Sequence, residues 1–298
     1  MKKQPTGKTL QSDLLLLLTA AIWGFAFVAQ RVGMDYIGPY LFNGIRFLLG
    51  ASVLLPLILL KKQTTNHRLL LKAGLSSGIL LFFGSSLQQL GITTTTAGNA
   101  GFITGLYVVI VPFLGLMLYK KPTKANVFGA VLAITGLYLL TNTSSLLNIN
   151  IGDLYVLLGA FFWAAHVHSI GLYSPKLNSL QLAFVQYLIC AGLSLVLAFF
   201  VEPINPDAIV SAGLPILYGG IMSVGIAYSL QVIAQQHSPP THSAIILSLE
   251  SVFAAIGGIL LLHESWSPTT LLGAALMLAA VFISQLQKPF KKRRQLYT

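Results

Sequence analysis

The sequence predicts an all-α integral membrane protein: ten transmembrane helices forming two five-helix repeats of inverted topology, with both termini cytoplasmic. Three observations carry that expectation. The 298 residues are 55% hydrophobic and only 8% charged, where soluble domains carry roughly a quarter charged. Apolar stretches long enough to cross ~30 Å of hydrocarbon recur along the whole chain, separated by short polar connections. Basic residues collect in every second connection, as orientation in a bilayer demands.

The expected spans are 14–32, 39–60, 69–90, 97–118, 125–142, 153–171, 179–201, 213–235, 241–262 and 268–286. The first follows Lys2, Lys3 and Lys8 and has the make-up of a signal-peptide core, but no small-residue cleavage site precedes Gln30-Arg31, so it reads as a retained helix. The longest connections, 61–68, 143–152 and 202–212, are too short for a soluble domain. With the N-terminus inside, the inner segments hold Lys2, Lys3 and Lys8, then Lys61, Lys62, Arg68 and Lys72, then Lys120, Lys121 and Lys124, then Lys176, then Lys288 to Arg294. Only Arg31 and Arg46 escape that set, and Asp35, Asp153, Glu202, Asp207 and Glu264 fall outside. The net charge of +11 therefore marks a cytoplasmic flank. The tail 287–298 reads as an anchor at anionic headgroups rather than a nucleic-acid-binding arm.

A shift of 140 residues lays Asp13 on Asp153 and Trp23 on Trp163, and a shift of 143 lays Leu106-Tyr107 on Leu249-Glu250. These matches divide the chain into 1–142 and 153–286, five spans each. Five is odd, so the copies face opposite ways across the membrane. That arrangement belongs to secondary transporters, which bind solute near the midplane between the halves and expose it to each side in turn.

Ionisable groups deep in a span are costly and mark pathways or buried pairs. Arg46 in span 2, Glu250 in span 9, and His166 and His168 in span 6 qualify. Counted along their helices, Arg46 and Glu250 lie at similar depth and within reach of each other. Two roles stay open: Arg46 clamps a substrate anion while Glu250 takes a cation or proton, or the two form a structural ion pair. Trp23, Phe27 and Gln30 share a face of span 1, Tyr228, Gln231 and Gln235 a face of span 8, and Asn43 precedes Arg46 by one turn. With Tyr107 and Trp163, these make a candidate aqueous cavity lining. Asn99, Gln88 and Gln89 count as near the outer surface. Pro112 removes a backbone donor within span 4 and is the candidate gating kink. Gly129, Ala133 and Gly136 in span 5, with Gly273, Ala274 and Met277 in span 10, form small-residue faces, either for internal packing or for a homodimer.

Span 1 reads Ala21-Ile22-Trp23-Gly24-Phe25, and span 4 reads Gly101-Phe102-Ile103-Thr104-Gly105-Leu106-Tyr107 and then Val111-Pro112. Spans 9 and 10 read Leu249-Glu250-Ser251-Val252-Phe253-Ala254-Ala255, Leu261-Leu262-His263-Glu264 and Leu272-Gly273-Ala274-Ala275. In these motifs the chain resembles the EamA-type, ten-span drug/metabolite transporters. Ser251 stands where the family pattern has Pro, His263 where it has Gly, and Lys120-Lys121 where the first repeat often has Gly-Glu. The resemblance implies a metabolite carrier of a prokaryotic plasma membrane, its substrate drawn from amino acids, amines, nucleosides, sugars or drugs.

The expected function is thus secondary transport of a small polar metabolite, with Glu250 the candidate for proton coupling. No phosphate-binding Gly-x-x-x-x-Gly-Lys-Ser/Thr loop is present, the single Cys190 has no Cys/His ligand spacing around it, and neither a cofactor nor a metal is expected. Two other classes stay open. A passive pore would give flux without saturation, and an intramembrane enzyme would need a convergent catalytic set that one deep carboxyl does not supply.

Overall fold

The computed structural model describes residues 6–60, 66–95, 97–117, 124–140, 151–262 and 267–285. Every regular element among them is helical. Eight helices are long and apolar enough to cross a membrane: α1 Gly7–Gly33, α2 Pro39–Leu60, α3 His67–Ile92, α4 Ala100–Met117, α6 Ile151–Lys176, α7 Ser179–Val201, α8 Gly213–Ala234 and α9 Pro240–Leu261. Two more, α5 Lys124–Leu140 and α10 Pro268–Gln285, have 17 and 18 residues. Eight of the expected spans thus correspond to helices long enough to cross a membrane, and the described residues of the other two, which border undescribed segments, are helical as well.

Local chemistry sets the helix starts. Asn66 and Asn178 accept hydrogen bonds from the backbone N–H of Leu69 and Gln181, both at 3.0 Å, capping α3 and α7. Proline opens α2, α9 and α10 at Pro39, Pro240 and Pro268, where its missing N–H costs nothing. Glu202, just past α7, uses both carboxylate oxygens to accept from the backbone of Tyr40 at 2.8 Å and Leu41 at 2.7 Å. This anion on the first turn of α2 ties the two halves together.

Neighbouring helices follow a reciprocal pattern. α6 packs on α3 and α4, and α1 packs on α8 and α9; α7 packs on α3, and α2 on α8. Exchanging α1–α5 for α6–α10 converts each of these contacts into another of the same set. The remaining large contacts, α2 with α7, α5 with α10 and α4 with α9, convert into themselves. α6 begins at the end of the bundle where α1 finishes: Gln30 near the end of α1 meets Gln88 near the end of α3, and Thr95, just beyond α3, meets Asp153 in the first turn of α6.

Three helices are irregular. α4 breaks at Leu106, between Ala97–Gly105 and Tyr107–Met117, and α9 breaks between Pro240–Leu247 and Glu250–Leu262. Pro112 lies six residues beyond the α4 break, inside a continuous helical stretch, so the break falls at Leu106 and not at the proline. α8 is wound as a π-helix from Tyr218 to Tyr228. Its carbonyls bond outward to α1, Ser223 accepting from Trp23 Nε1 at 3.4 Å and Ala227 from Thr19 Oγ1 at 3.2 Å. The small-residue faces of α5 and α10 meet inside the chain. A Cβ on Gly136 would lie 2.7 Å from the Gly273 carbonyl oxygen and 3.0 Å from the Met277 nitrogen, so these surfaces already serve internal packing.

Candidate functional site

The breaks in α4 and α9 decide what the centre of the bundle contains. Each break starts a new helical segment, and the residues at those starts are Tyr107 and Glu250. Both are buried, and the Tyr107 hydroxyl faces the Glu250 carboxyl without closing a hydrogen bond. Around them α1 contributes Trp23, Phe27 and Gln30, α3 Gln88, α4 Thr104, α6 Trp163, and α8 Ser223, Tyr228 and Gln231. The enclosed space open to water-sized molecules is about 30 Å³, enough for one or two waters. Both halves of the chain build it.

The aromatic walls are interlocked. Tyr228 is the hub, with Trp23 at 4.5 Å between ring centroids, Trp163 stacked at 5.9 Å and Phe47 at 5.8 Å. An amide network fixes the opposite wall. Gln88 Oε1 accepts from Trp163 Nε1 at 2.9 Å, while Gln88 Nε2 donates to Gln30 Oε1 at 3.0 Å. Gln231 donates to Gln235 at 3.1 Å, and Gln235 donates to the Val167 carbonyl at 3.0 Å. Three polar atoms on the cavity wall have no hydrogen-bond partner in the protein: Tyr107 Oη, Gln231 Oε1 and Glu250 Oε1.

Trp23, Gln30, Tyr107, Trp163, Tyr228, Gln231 and Glu250 therefore come together. Arg46, Asn43 and His166 do not line the cavity. Arg46 is 1% exposed, its Nε donating to Asn43 Oδ1 at 2.9 Å and its guanidinium carbon 5.1 Å from the Phe47 ring and 5.5 Å from the Phe42 ring. No ion pair joins it to Glu250 among the described residues, so the pairing their sequence depths allowed is not formed. His166 shares its Nε2 with Gln186 Oε1 at 2.8 Å and meets Trp163 edge-on from outside the cavity. His168 Nε2 pairs with the Val111 carbonyl at 2.7 Å, beside Pro112.

Sequence position misleads most at Gln88. Its place near the end of α3 reads as outer surface, yet it is 6% exposed and holds Gln30, Trp163 and Thr104 together. The available signal was Gln30, an amide at the matching level of α1. His263 and Glu264 lie outside the described residues, as do the tail 287–298 and most basic residues of the inner connections; the side chains of Asn99 and Ala274 are likewise undescribed.

Two polar contacts stand at opposite ends of this chamber. At one end His242, in the first turn of α9, meets Asp13 of α1 at 2.8 Å. At the other, Thr95 Oγ1, leading into α4, donates to Asp153 of α6 at 2.6 Å.

The EamA-like transporter family model matches residues 10–142 and again residues 150–286. The chain belongs to the EamA-like transporter family. Relatives of this EamA protein are named as transporters. A protein of Archaeoglobus fulgidus, named an uncharacterized transporter, is 36% identical over 94% of this chain and 87% of its own length. The uncharacterized transporter YoaV of Bacillus subtilis is 24% identical over 90% of this chain and 94% of its own. A solved crystal structure covering 92% of this chain and 96% of its own superposes with a TM-score of 0.78 at 16% identity, a likeness of fold. The EamA chain is thus a multi-pass membrane protein of a transporter family. Ser251, where the family pattern has Pro, uses its side chain: Oγ donates to the Gly101 carbonyl at 2.7 Å, bridging α9 and α4.

Proposed function

We propose that this EamA protein is a secondary transporter of the plasma membrane, moving a small polar metabolite such as an amino acid, an amine or a related solute by alternating access. The two halves are inverted repeats with both termini cytoplasmic, and substrate binds between them at the Glu250 cavity. The observation that carries this reading is the enclosed chamber built by both halves around one buried carboxyl. Broken helices that deliver polar groups to the centre of the bundle are how transporters place a binding site in the membrane. The reciprocal helix contacts and the double family match support the repeat.

Two end contacts support alternating access. Asp13 and Asp153 occupy matching positions of the two halves, and each latches a helix that leads to the cavity, α9 at one end and α4 at the other. With both contacts made, each end of the bundle is tied. Releasing one at a time opens one side at a time.

Glu250 couples transport to protons. An ionised carboxylate buried without a cation is costly, so its charge is neutralised by a proton or by the solute. Flux through proteoliposomes tests the reading: saturation and acceleration by solute on the far side mark a carrier, and linear flux marks a pore and overturns it. Glu250→Gln is expected to abolish gradient-driven uptake while sparing exchange. Equal loss in both assays assigns the residue a structural role.

A further inference from the structure

Resting on the transport reading above, we infer that the cavity selects an organic cation, an amine with N–H groups to donate, over an amino acid or a carboxylic acid. The unmet hydrogen-bonding capacity of the wall has a sign. Glu250 Oε1 and Gln231 Oε1 are acceptors with no protein donor, and neither atom can donate when Glu250 is ionised. A ligand that satisfies both must donate, which an ammonium does and a carboxylate does not. The Tyr107 hydroxyl, also without a partner, adds a third oxygen beside the same carboxyl.

The aromatic rings point to the same charge. Trp23 and Trp163 stand 4.5 and 5.9 Å from Tyr228, centroid to centroid, and all three line the cavity. Ring faces attract cations through their quadrupole, most strongly where water is excluded. Rings and a carboxyl around one small space therefore favour a positive guest twice over.

No charge in the wall answers a negative group, and the unpartnered Tyr107 O–H is a neutral donor already beside the Glu250 carboxyl. No Lys or Arg lines the cavity among the described residues. Arg46 is buried outside the lining, and its Nη2 has no protein partner. Yet Phe47 lies 5.1 Å from its guanidinium carbon and 5.8 Å from the Tyr228 ring. On this wall a ligand carboxylate in the chamber meets the Tyr228 ring and not the Arg46 guanidinium. Contact with Arg46 is the competing amino-acid reading, and it fixes the comparison to make.

Three probes share one branched carbon skeleton and differ only in charged groups: 3-methylbutylamine, leucine and 4-methylpentanoate. Binding to the purified full chain is read by tryptophan fluorescence, since Trp23 and Trp163 line the cavity, in a Trp266→Phe background that removes the third tryptophan. The amine is expected to bind at least ten-fold more tightly than leucine, with no saturable signal from the acid. Glu250→Gln should weaken the amine ten-fold or more, so that the exchange this variant retains is seen only at amine concentrations raised by the same factor. Tyr107→Phe, which leaves the carboxyl in place, should weaken it several-fold, so the prediction survives if the glutamine variant fails to fold.

Leucine or the acid binding as tightly as the amine overturns the cation inference, and so does the absence of binding by all three. The transport reading is judged separately, by flux of the same probes through proteoliposomes. Saturable leucine counterflow without amine counterflow sinks the cation inference and leaves the carrier standing. Equal, unsaturable leakage of all three sinks the carrier itself.

Discussion

Gly24 shows how one side chain sets the distance between two helices. A Cβ at that position would lie 2.7 Å from both the Ala254 nitrogen and the Glu250 carbonyl oxygen, so α1 and α9 touch backbone to backbone one residue from Trp23. Overpacking a tight contact costs roughly 1–3 kcal/mol, and backbone atoms cannot rotate out of the way as a side chain can. Gly24→Val is therefore expected to lower the thermal unfolding temperature in detergent by several degrees and to reduce flux, because Glu250 moves with the α9 backbone. Gly7→Val, at a position with nothing within 4 Å, is the control and should unfold like the wild type. Glu202 offers a second test at this scale. Its carboxylate satisfies two backbone donors of α2, and hydrogen bonds to a charged group contribute about 1.5–3 kcal/mol. Glu202→Ala should destabilise the protein by that order in a urea or heat titration, with Glu202→Asp failing to restore both bonds because its stem is one methylene shorter.

Helices carry what single residues cannot, and the end contacts of α4 and α9 are the devices of this scale. Asp13–His242 and Asp153–Thr95 hold opposite ends of the bundle. Thr95→Val removes the donor to Asp153 while keeping the shape, so it should bias the protein toward opening at the α6 start. Asp13→Asn should bias it toward the other end. A cysteine placed at Ser223 on the cavity wall, with Cys190 replaced by alanine, reports the difference to a membrane-impermeant thiol reagent added outside whole cells. Labelling should accelerate in Thr95→Val and slow in Asp13→Asn; the same rate in both variants removes the latches from the mechanism. Sequence shows these helices unevenly. Composition and the alternation of basic residues mark the spans, because every backbone group in lipid must be satisfied within a helix. The breaks at Leu106 and Leu249 are less visible, since the Gly105 and Ser248 beside them are residue types that also occur within unbroken helices, as Ser77 and Gly78 do in α3, and Pro112 lies a turn and a half beyond the α4 break. Trp23, Tyr107, Trp163, Tyr228 and Glu250 stand out as rings or charge amid aliphatics. Arg46 stands out equally, yet its side chain folds back onto Phe42 and Phe47, a direction that depth along a span does not encode. Gln88 fails the opposite way: distance from the helix end is taken as distance to water, whereas α1 and α6 extend alongside and bury it.

At the scale of the whole molecule, the size of the chamber demands movement. A space of about 30 Å³ holds one or two waters, and even 3-methylbutylamine has several times as many heavy atoms. On the proposed reading, binding requires the two halves to separate on one side and then to close around the solute, which a single rigid conformation does not permit. Because a ligand shifts an equilibrium only by its differential affinity for the two states, the solute must prefer some widened form of this cavity. The reciprocal contacts of α1 with α8 and α9, and of α6 with α3 and α4, give the molecule two equivalent ways to widen it. A covalent bridge across one latch tests this. Cysteines at Thr95 and Asp153, in the Cys190→Ala background, replace a 2.6 Å polar contact with a short thiol-specific crosslinker. Counterflow is expected to fall at least ten-fold after crosslinking and to recover on reductive cleavage of a disulfide-containing linker, while probe binding from the opposite, unbridged face of the vesicle persists. Full counterflow through the bridged protein would mean that solute passes without the halves parting there, and alternating access at these helices would be lost as the explanation.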